Sequence, residues 1–269
     1  MKLERIRYEA CPLCGNAEFA ARGIADCSHH PLYAAPLSST ITWMTCGMCG
    51  HVFTSGYWSP DAMSLLCRKT LPHQSVGYNY EPVGRPMAAS VIGRVLAASE
   101  RAPNPFQESL LSWLDVGFGD ASLLLTVKEY GINAVGIDIR EDNVAAARDI
   151  GLEAYCVDIA EFKSAGKFDV VSLCDVLEHV PFPARVLSIV RELMATGGIL
   201  CVVTPNSDTT VWRLLDLAQA NPYWKEIEHY HCFTRERLYT LLQGCGFDPF
   251  RYCVSEKYRS GMEVLAMAV

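Results

Sequence analysis

The sequence has no apolar run of the ~18 residues needed to cross a bilayer, and its opening, MKLERIRYEA, carries no hydrophobic signal core. These absences predict a chain that neither spans a membrane nor is exported, and hence a cytoplasmic one. Positive charge is also scarce. Against 30 Asp and Glu there are 23 Lys and Arg, a formal charge of −7, which gives no general attraction to nucleic acid or anionic membrane. Internal repeats and low-complexity segments are missing too. Hydrophobic residues, by contrast, make up 50% of the 269, enough for a sizeable core in one or two domains. Cysteine is abundant, with twelve copies. In a secreted chain that number would suggest disulfides. Here Cys156, Cys174 and Cys201 lie in apolar, strand-like runs, where free cysteine serves as a small hydrophobe.

Four other cysteines are patterned differently. Cys11-Pro-Leu-Cys14-Gly15 and Cys46-Gly-Met-Cys49-Gly50 are matching CxxCG knuckles. Each can place two thiolates on one metal, and the following glycine permits the turn that aims backbone N–H groups at sulfur. Four thiolates at two such corners suit a tetrahedral, structural Zn²⁺ with no position left open for catalysis. Residues 1–72 have little core of their own, so metal binding would supply folding energy. The 31 residues between the knuckles contain Cys27, His29 and His30, which leaves a substitute ligand open. Residues 1–75 carry six basic against five acidic side chains, no footprint for nucleic acid. The aromatics Trp43, Phe53, Tyr57 and Trp58 are expected to fill the small core. The module thus reads as a lid or substrate platform for the larger C-terminal domain.

Residues 73–109 form a joint: a Gly- and Pro-containing loop with Tyr78, Tyr80 and Arg85, an amphipathic helix over 87–99, and a turn-rich connector from Arg101. The stretch 110–140, LLSWLDVGFGDASLLLTVKEYGINAVGIDIR, organises the rest. An apolar run ending at Asp115 reads as a buried parallel strand. Gly117-Phe118-Gly119-Asp120-Ala121 makes a tight loop, 122–130 a helix, and 134–138 a second strand ending in Asp138. Two glycines let a ligand approach the backbone without meeting a Cβ. An acid about 20 residues on can take two hydrogen bonds from a ribose diol. The dinucleotide fingerprint would need glycine where this chain has Ser122.

An acid followed by GxGxG resembles the first motif of class I S-adenosylmethionine-dependent methyltransferases, matched here by Asp115, Gly117 and Gly119, with Ala121 at the third glycine. The resemblance implies that Asp115 faces the methionine amino group and that Asp138 and Ile139 hold the ribose side. Asp158 would accept from the adenine amino group, Ile159 would pack on the ring, and Tyr78 would reach over the cofactor. Alanine cannot take a positive φ cheaply, so the loop is expected to differ locally. After a third strand over 153–157 and a fourth over 168–174, Asp175-Val-Leu-Glu178-His179-Val-Pro181 resembles ubiquinone-biosynthesis O-methyltransferases and their small-molecule relatives, as does Glu228-His229-Tyr230-His231-Cys232-Phe233-Thr234. Cys174 and Asp175 are then expected near the methyl group.

Further strands over 199–204, 247–255 and 261–269 complete an α/β fold. Its expected form is a seven-stranded Rossmann-like sheet in the order 3-2-1-4-5-7-6, with a small N-terminal zinc-binding domain. The implied reaction is in-line methyl transfer from S-adenosylmethionine to a small-molecule acceptor, expected to be a hydroxyl of a sugar or natural-product intermediate. Such a hydroxyl needs a base; His231 leads, followed by His229 and then His179, for which a structural role is preferred. C-methylation of a nucleotide sugar and RNA base methylation are the alternatives.

Overall fold

A computed structural model describes residues 3–99, 111–256 and 260–269. Residue 110 and the connector over 100–109 lie outside the described residues. The second half of the chain is a seven-stranded sheet of β6 (Ser112–Val116), β7 (Asn133–Asp138), β8 (Glu153–Cys156), β9 (Phe168–Cys174), β10 (Met194–Pro205), β12 (Phe247–Val254) and β13 (Gly261–Ala268). Across the sheet the order is β12-β13-β10-β9-β6-β7-β8, which is the 3-2-1-4-5-7-6 order expected. Strands β6 to β10 are parallel to one another, and β13 runs antiparallel to both β10 and β12.

The apolar runs explain why these strands sit inside. With period-two alternation and helices on both faces, the central strands are apolar at most positions. On one face Trp113, Val170, Ile199, Cys201, Val203 and Leu265 pack under α2 (Arg85–Ser99), through Ile92 and Val95. On the other face Leu114, Val171, Leu173, Leu200, Val202 and Val264 meet α5 (Pro183–Leu193) and α7 (Arg235–Gly244), through Leu187, Val190, Leu238 and Leu242. Helices α3 (Ser122–Glu129) and α4 (Glu141–Asp149) close the β8 end with Leu124, Val144 and Ala147. The strand expected over 199–204 begins earlier, at Met194, with an irregular register around Gly197 at φ +82°.

The expected amphipathic helix over 87–99 is α2, extended backward by a π turn over Tyr80–Gly84. This turn lies against the start of α3. The Tyr80 hydroxyl donates to Thr126 Oγ1 at 3.2 Å, while Thr126 donates to the Ser122 carbonyl at 2.8 Å. A Cβ on Gly84 would sit 2.2 Å from Ser122 Oγ and 2.9 Å from its Cβ. Gly84→Ala is therefore expected to destabilise the fold by about 1–3 kcal/mol through overpacking. Urea unfolding measures this, and an unchanged midpoint would show that the contact is not tight.

The N-terminal module holds β1 (Arg5–Arg7), β2 (Phe19–Asp26), β3 (Thr40–Cys46), β4 (Val52–Thr54), β5 (Gly56–Trp58) and α1 (Pro60–Cys67). Trp43, Phe53 and Trp58 are buried in its core. Two elements from the far end of the chain complete it. One is β11 (His231–Cys232), which pairs His231 with Phe53 and Cys232 with Val52, so that the module's sheet runs β11-β4-β3-β2. The other is α6 (Thr210–Leu217), whose buried Trp212 packs with Trp43 and Trp58 in the same core. Side chains reinforce the seam: Trp43 Nε1 donates to the Trp224 carbonyl, and Trp58 Nε1 and Arg5 Nη2 both donate to the Ile227 carbonyl. The module is thus built into the larger sheet domain through residues 224–232.

Candidate active site

The loop after β6 turns through three left-handed residues, Gly117 (φ +67°), Gly119 (φ +52°) and Ala121 (φ +59°). The expectation of a local departure at Ala121 is not met, because the alanine takes the glycine conformation. Such a residue costs about 1–2 kcal/mol, and its methyl recovers part of that by packing fully buried with Leu124, Val144 and Ala147. At Gly117 a Cβ would lie 2.9 Å from Val176 Cγ2, so the loop backbone closes against the segment after β9.

The two motif acids stand at the carboxyl ends of adjacent strands, where open α/β sheets bind ligands. Asp115 is buried, and its Oδ1 accepts from Ser172 Oγ at 2.6 Å, which in turn accepts from Trp113 Nε1 at 2.9 Å. Asp138, also buried, accepts from Gly119 N through Oδ2 at 3.1 Å and from Arg140 N through Oδ1 at 2.8 Å. Each carboxylate oxygen has a second lone pair, so a diol remains within its capacity.

Of the other expected cofactor positions, two are exposed to solvent. Ile139 is 48% and Tyr78 44% exposed. The Asp158 side chain accepts from Ala160 N at 2.8 Å and its carbonyl from Glu161 and Phe162 N, a local turn, while Ile159 packs in the main core. Cys174 is held as a thiol, its pKa raised by a hydrogen bond with Cys201 and by burial.

Strand β9 ends at Cys174, and the next residue, Asp175, with a φ of +59°, re-aims the chain into a turn over Leu177–His179. Strain of this kind, ~1 kcal/mol or more, concentrates at functional sites. Glu178 is buried and accepts from Thr204 Oγ1 at 3.0 Å. His179 and His229 meet edge to face, with ring centroids 4.5 Å apart. Glu178, His179 and His229 can each offer a ligand atom within 4.8 Å of the others. Burial, then the nearby His179, holds His229 well below the usual imidazole range, which favours the neutral ring.

His231, first choice as base from sequence, is placed elsewhere. It is buried, its Nε2 lies 2.9 Å from the Val180 carbonyl, and its Nδ1 lies 3.0 Å from His51 Nε2. Both ring nitrogens are occupied inside the protein, and burial pushes its pKa down to about 4. Glu228 faces Arg140 at 3.1 Å across the same end of the sheet. Thr204, Ser172 and Arg140 were missed in the sequence because only the fold brings them to the motif residues.

Cys11, Cys14, Cys46 and Cys49 form the second cluster, every sulfur within 4.8 Å of the rest. Cys11 and Cys49 sulfurs are 3.8 Å apart and those of Cys14 and Cys46 3.5 Å. Zn–S bonds of about 2.3 Å in a tetrahedron require edges of about 3.8 Å, so the donor set fits zinc. Gly15 and Gly50, at φ +73° and +69°, close the two knuckles alike. Burial acts to raise the Cys46 pKa, but hydrogen bonds from the Cys49 and Met48 backbone and the Cys14 thiol win and bring it to about 6. Cys27 and His30 do not join this cluster. Cys27 packs in the module core, and His30 pairs with Glu226 at 3.0 Å.

Residues 87–251 match a family described as a methyltransferase domain. The ubiquinone biosynthesis O-methyltransferase of Cereibacter sphaeroides is 29% identical over 164 residues, 55% of this chain and 64% of that protein. That of Pseudomonas aeruginosa is 36% identical over 101 residues, 35% and 44% of the two. The matched segment spans less than two thirds of these relatives' own length. Magnesium protoporphyrin IX methyltransferase from Synechocystis PCC 6803, with bound SAH, has a TM-score of 0.56 over 71% of this chain and 87% of its own, at 20% identity. An amino pentose methyltransferase from Micromonospora echinaspora, involved in calicheamicin biosynthesis, has a TM-score of 0.51 over 70% and 93%, at 16% identity. At these identities the two structures speak for the fold alone. The family match covers more than half of the chain and falls on the sheet order and the acid–GxG loop described above: the chain belongs to the methyltransferase-domain family, in its class I S-adenosylmethionine-dependent form.

Proposed function

We propose that this chain transfers a methyl group from S-adenosylmethionine to a hydroxyl of a small molecule, a sugar or natural-product intermediate, with His229 as general base. The observation that carries this reading is the packing of Glu178, His179 and His229 at the turn after β9, a segment whose Val176 lies close to Gly117 of the glycine loop. Bound S-adenosylmethionine would supply a methyl group already activated on a sulfonium. Asp115 and Asp138 then hold the donor's ammonium and ribose, and the site's main work is alignment of acceptor oxygen, methyl carbon and sulfur. As the oxygen–carbon bond forms and the carbon–sulfur bond breaks, the hydroxyl proton passes to the neutral His229. His231, engaged at both nitrogens, leaves the role to His229.

The O-methyltransferase relatives favour an oxygen acceptor, and the formal charge of −7 favours a small molecule over RNA. A second reading of the same three groups is a divalent cation that would acidify the hydroxyl directly, His229 then being a ligand. Reversible loss of turnover on chelation, restored by Mg²⁺, separates the two. The four cysteines are assigned to a structural zinc. No helix among the described residues is long and apolar enough to cross a membrane, and all twelve cysteines are free, in keeping with a cytoplasmic location.

Calorimetry and methyl-tritium transfer test this. Asp138→Ala removes both ribose acceptors and is expected to weaken S-adenosylmethionine binding at least tenfold, about 1.4 kcal/mol or more. Label should enter a panel of hydroxylated small molecules. Label entering RNA, or no cofactor binding by the unaltered chain, would overturn the reading.

A further inference from the structure

The histidine just after the second knuckle, His51, is 1% exposed and is used by none of the chemistry above. Cys46 N donates to the His51 carbonyl at 3.0 Å, so the Cys46–Cys49 corner fixes this residue's backbone. Its ring lies between Phe53 and Phe233, with centroids at 6.1 and 5.4 Å. From there Nε2 reaches His231 Nδ1 at 3.0 Å, and His231 Nε2 reaches the Val180 carbonyl at 2.9 Å. Val180 comes directly after the Glu178–His179 turn, and the next residue's carbonyl is also tied down, accepting from the Tyr8 hydroxyl at 2.9 Å.

The partners dictate the proton positions. A carbonyl only accepts, so His231 carries its hydrogen on Nε2. In a neutral imidazole the other nitrogen is then an acceptor, and His51 must donate from Nε2. His51 Nδ1 is left a buried acceptor with no hydrogen-bond partner among the described residues. A bare buried acceptor is costly, and the arrangement persists because the other nitrogen makes a bond the structure needs. On the far side, Tyr230 N donates to the Glu178 carbonyl at 2.7 Å and the Tyr230 carbonyl accepts from Thr54 N at 2.9 Å. The turn bearing Glu178 and His179 thus hangs from the N-terminal module on both flanks.

We infer that His51 is a positioning residue: by donating to His231 Nδ1 it fixes that ring's tautomer and, through the Val180 carbonyl, the placement of Glu178 and His179 opposite His229. The module is then the fixed support of the acceptor side rather than a movable cover. The inference deepens the methyl-transfer reading, but its test stands apart from that reading because it needs no acceptor.

Histidine-selective ¹⁵N labelling of the full metal-loaded chain gives the ring-nitrogen signals of its seven histidines. In the unaltered protein His231 is expected as the Nε2–H tautomer. In His51→Phe, which keeps the ring volume but has no donor, the His231, His179 and His229 signals should all move. In His51→Gln, whose amide can donate from about the same point, they should return toward their original positions. Calorimetric binding of S-adenosylhomocysteine within about twofold of wild type shows that a variant is folded. A His231 proton found on Nδ1 in the unaltered chain overturns the inference, whatever the variants do. So does a folded His51→Phe chain with His179 and His229 signals unmoved, or signals in His51→Gln as displaced as those in His51→Phe. Failed cofactor binding in the unaltered protein would instead count against the methyl-transfer reading.

Discussion

Stripping metal from the four-cysteine corner, or replacing Cys46 by serine, is expected to unfold more than the N-terminal module. The hydrophobic group around the knuckles is small: Tyr8, Cys11, Cys46 and Phe53, with a few partly buried neighbours. A core of this size cannot offset the entropy of ordering its residues. Structural zinc contributes about 10–16 kcal/mol of apparent binding energy in isolated finger peptides, comparable to the whole ~5–15 kcal/mol by which a domain is stable. The loss would not stay local. β4 pairs with β11, and Trp43 and Trp58 donate across the seam to residues 224 and 227. A loss of ~5 kcal/mol should lower Tm by more than about 10 °C, in one transition that includes the sheet domain. Elemental analysis should find about one zinc per chain. A metal-free chain with unchanged Tm, or two well-separated transitions, would refute the assignment or the coupling respectively.

The sheet was legible because its physics is local. The central strands β6, β9 and β10 are buried on both faces, so they read as apolar runs, and β6 and β7 announce their carboxyl ends with Asp115 and Asp138. The knuckles were legible for the same reason, since ligand spacing and the turn glycines lie within five residues of one another. Ala121 shows where such reading stops. Its reluctance to take positive φ is a local fact, but burial of its methyl is a tertiary one, and the tertiary term keeps the loop in shape. His231 stops it elsewhere. The sequence shows a histidine in a motif. It cannot show that the histidine pairs with His51, 180 positions away. The two-residue strand β11 is too short to leave a period, and its pairing with β4 has no local sign.

The largest kinetic effect is expected at His229. Removing a positioned general base typically lowers turnover by ~10²–10⁴, and His229→Ala should fall in that range while S-adenosylmethionine affinity stays within about twofold. Burial weakens the ring as a base but keeps it unprotonated to lower pH. With its pKa held well below 6.5, the ring is already neutral near pH 6, so the rate of the unaltered enzyme should remain level as pH falls from 8 to 6. The alanine variant must draw its base from solvent, and its rate should climb steadily with pH over the same range. Glu178→Gln offers the contrast. The amide keeps the shape and a hydrogen bond to Thr204 Oγ1 but removes the negative charge beside both histidines. If that charge steadies a protonated His229 as the acceptor oxygen attacks, turnover should drop by ~10-fold or more with the pH profile still level. A His229→Ala enzyme that turns over at the wild-type rate, with the wild-type profile, would remove the base from this residue and leave alignment alone to account for catalysis.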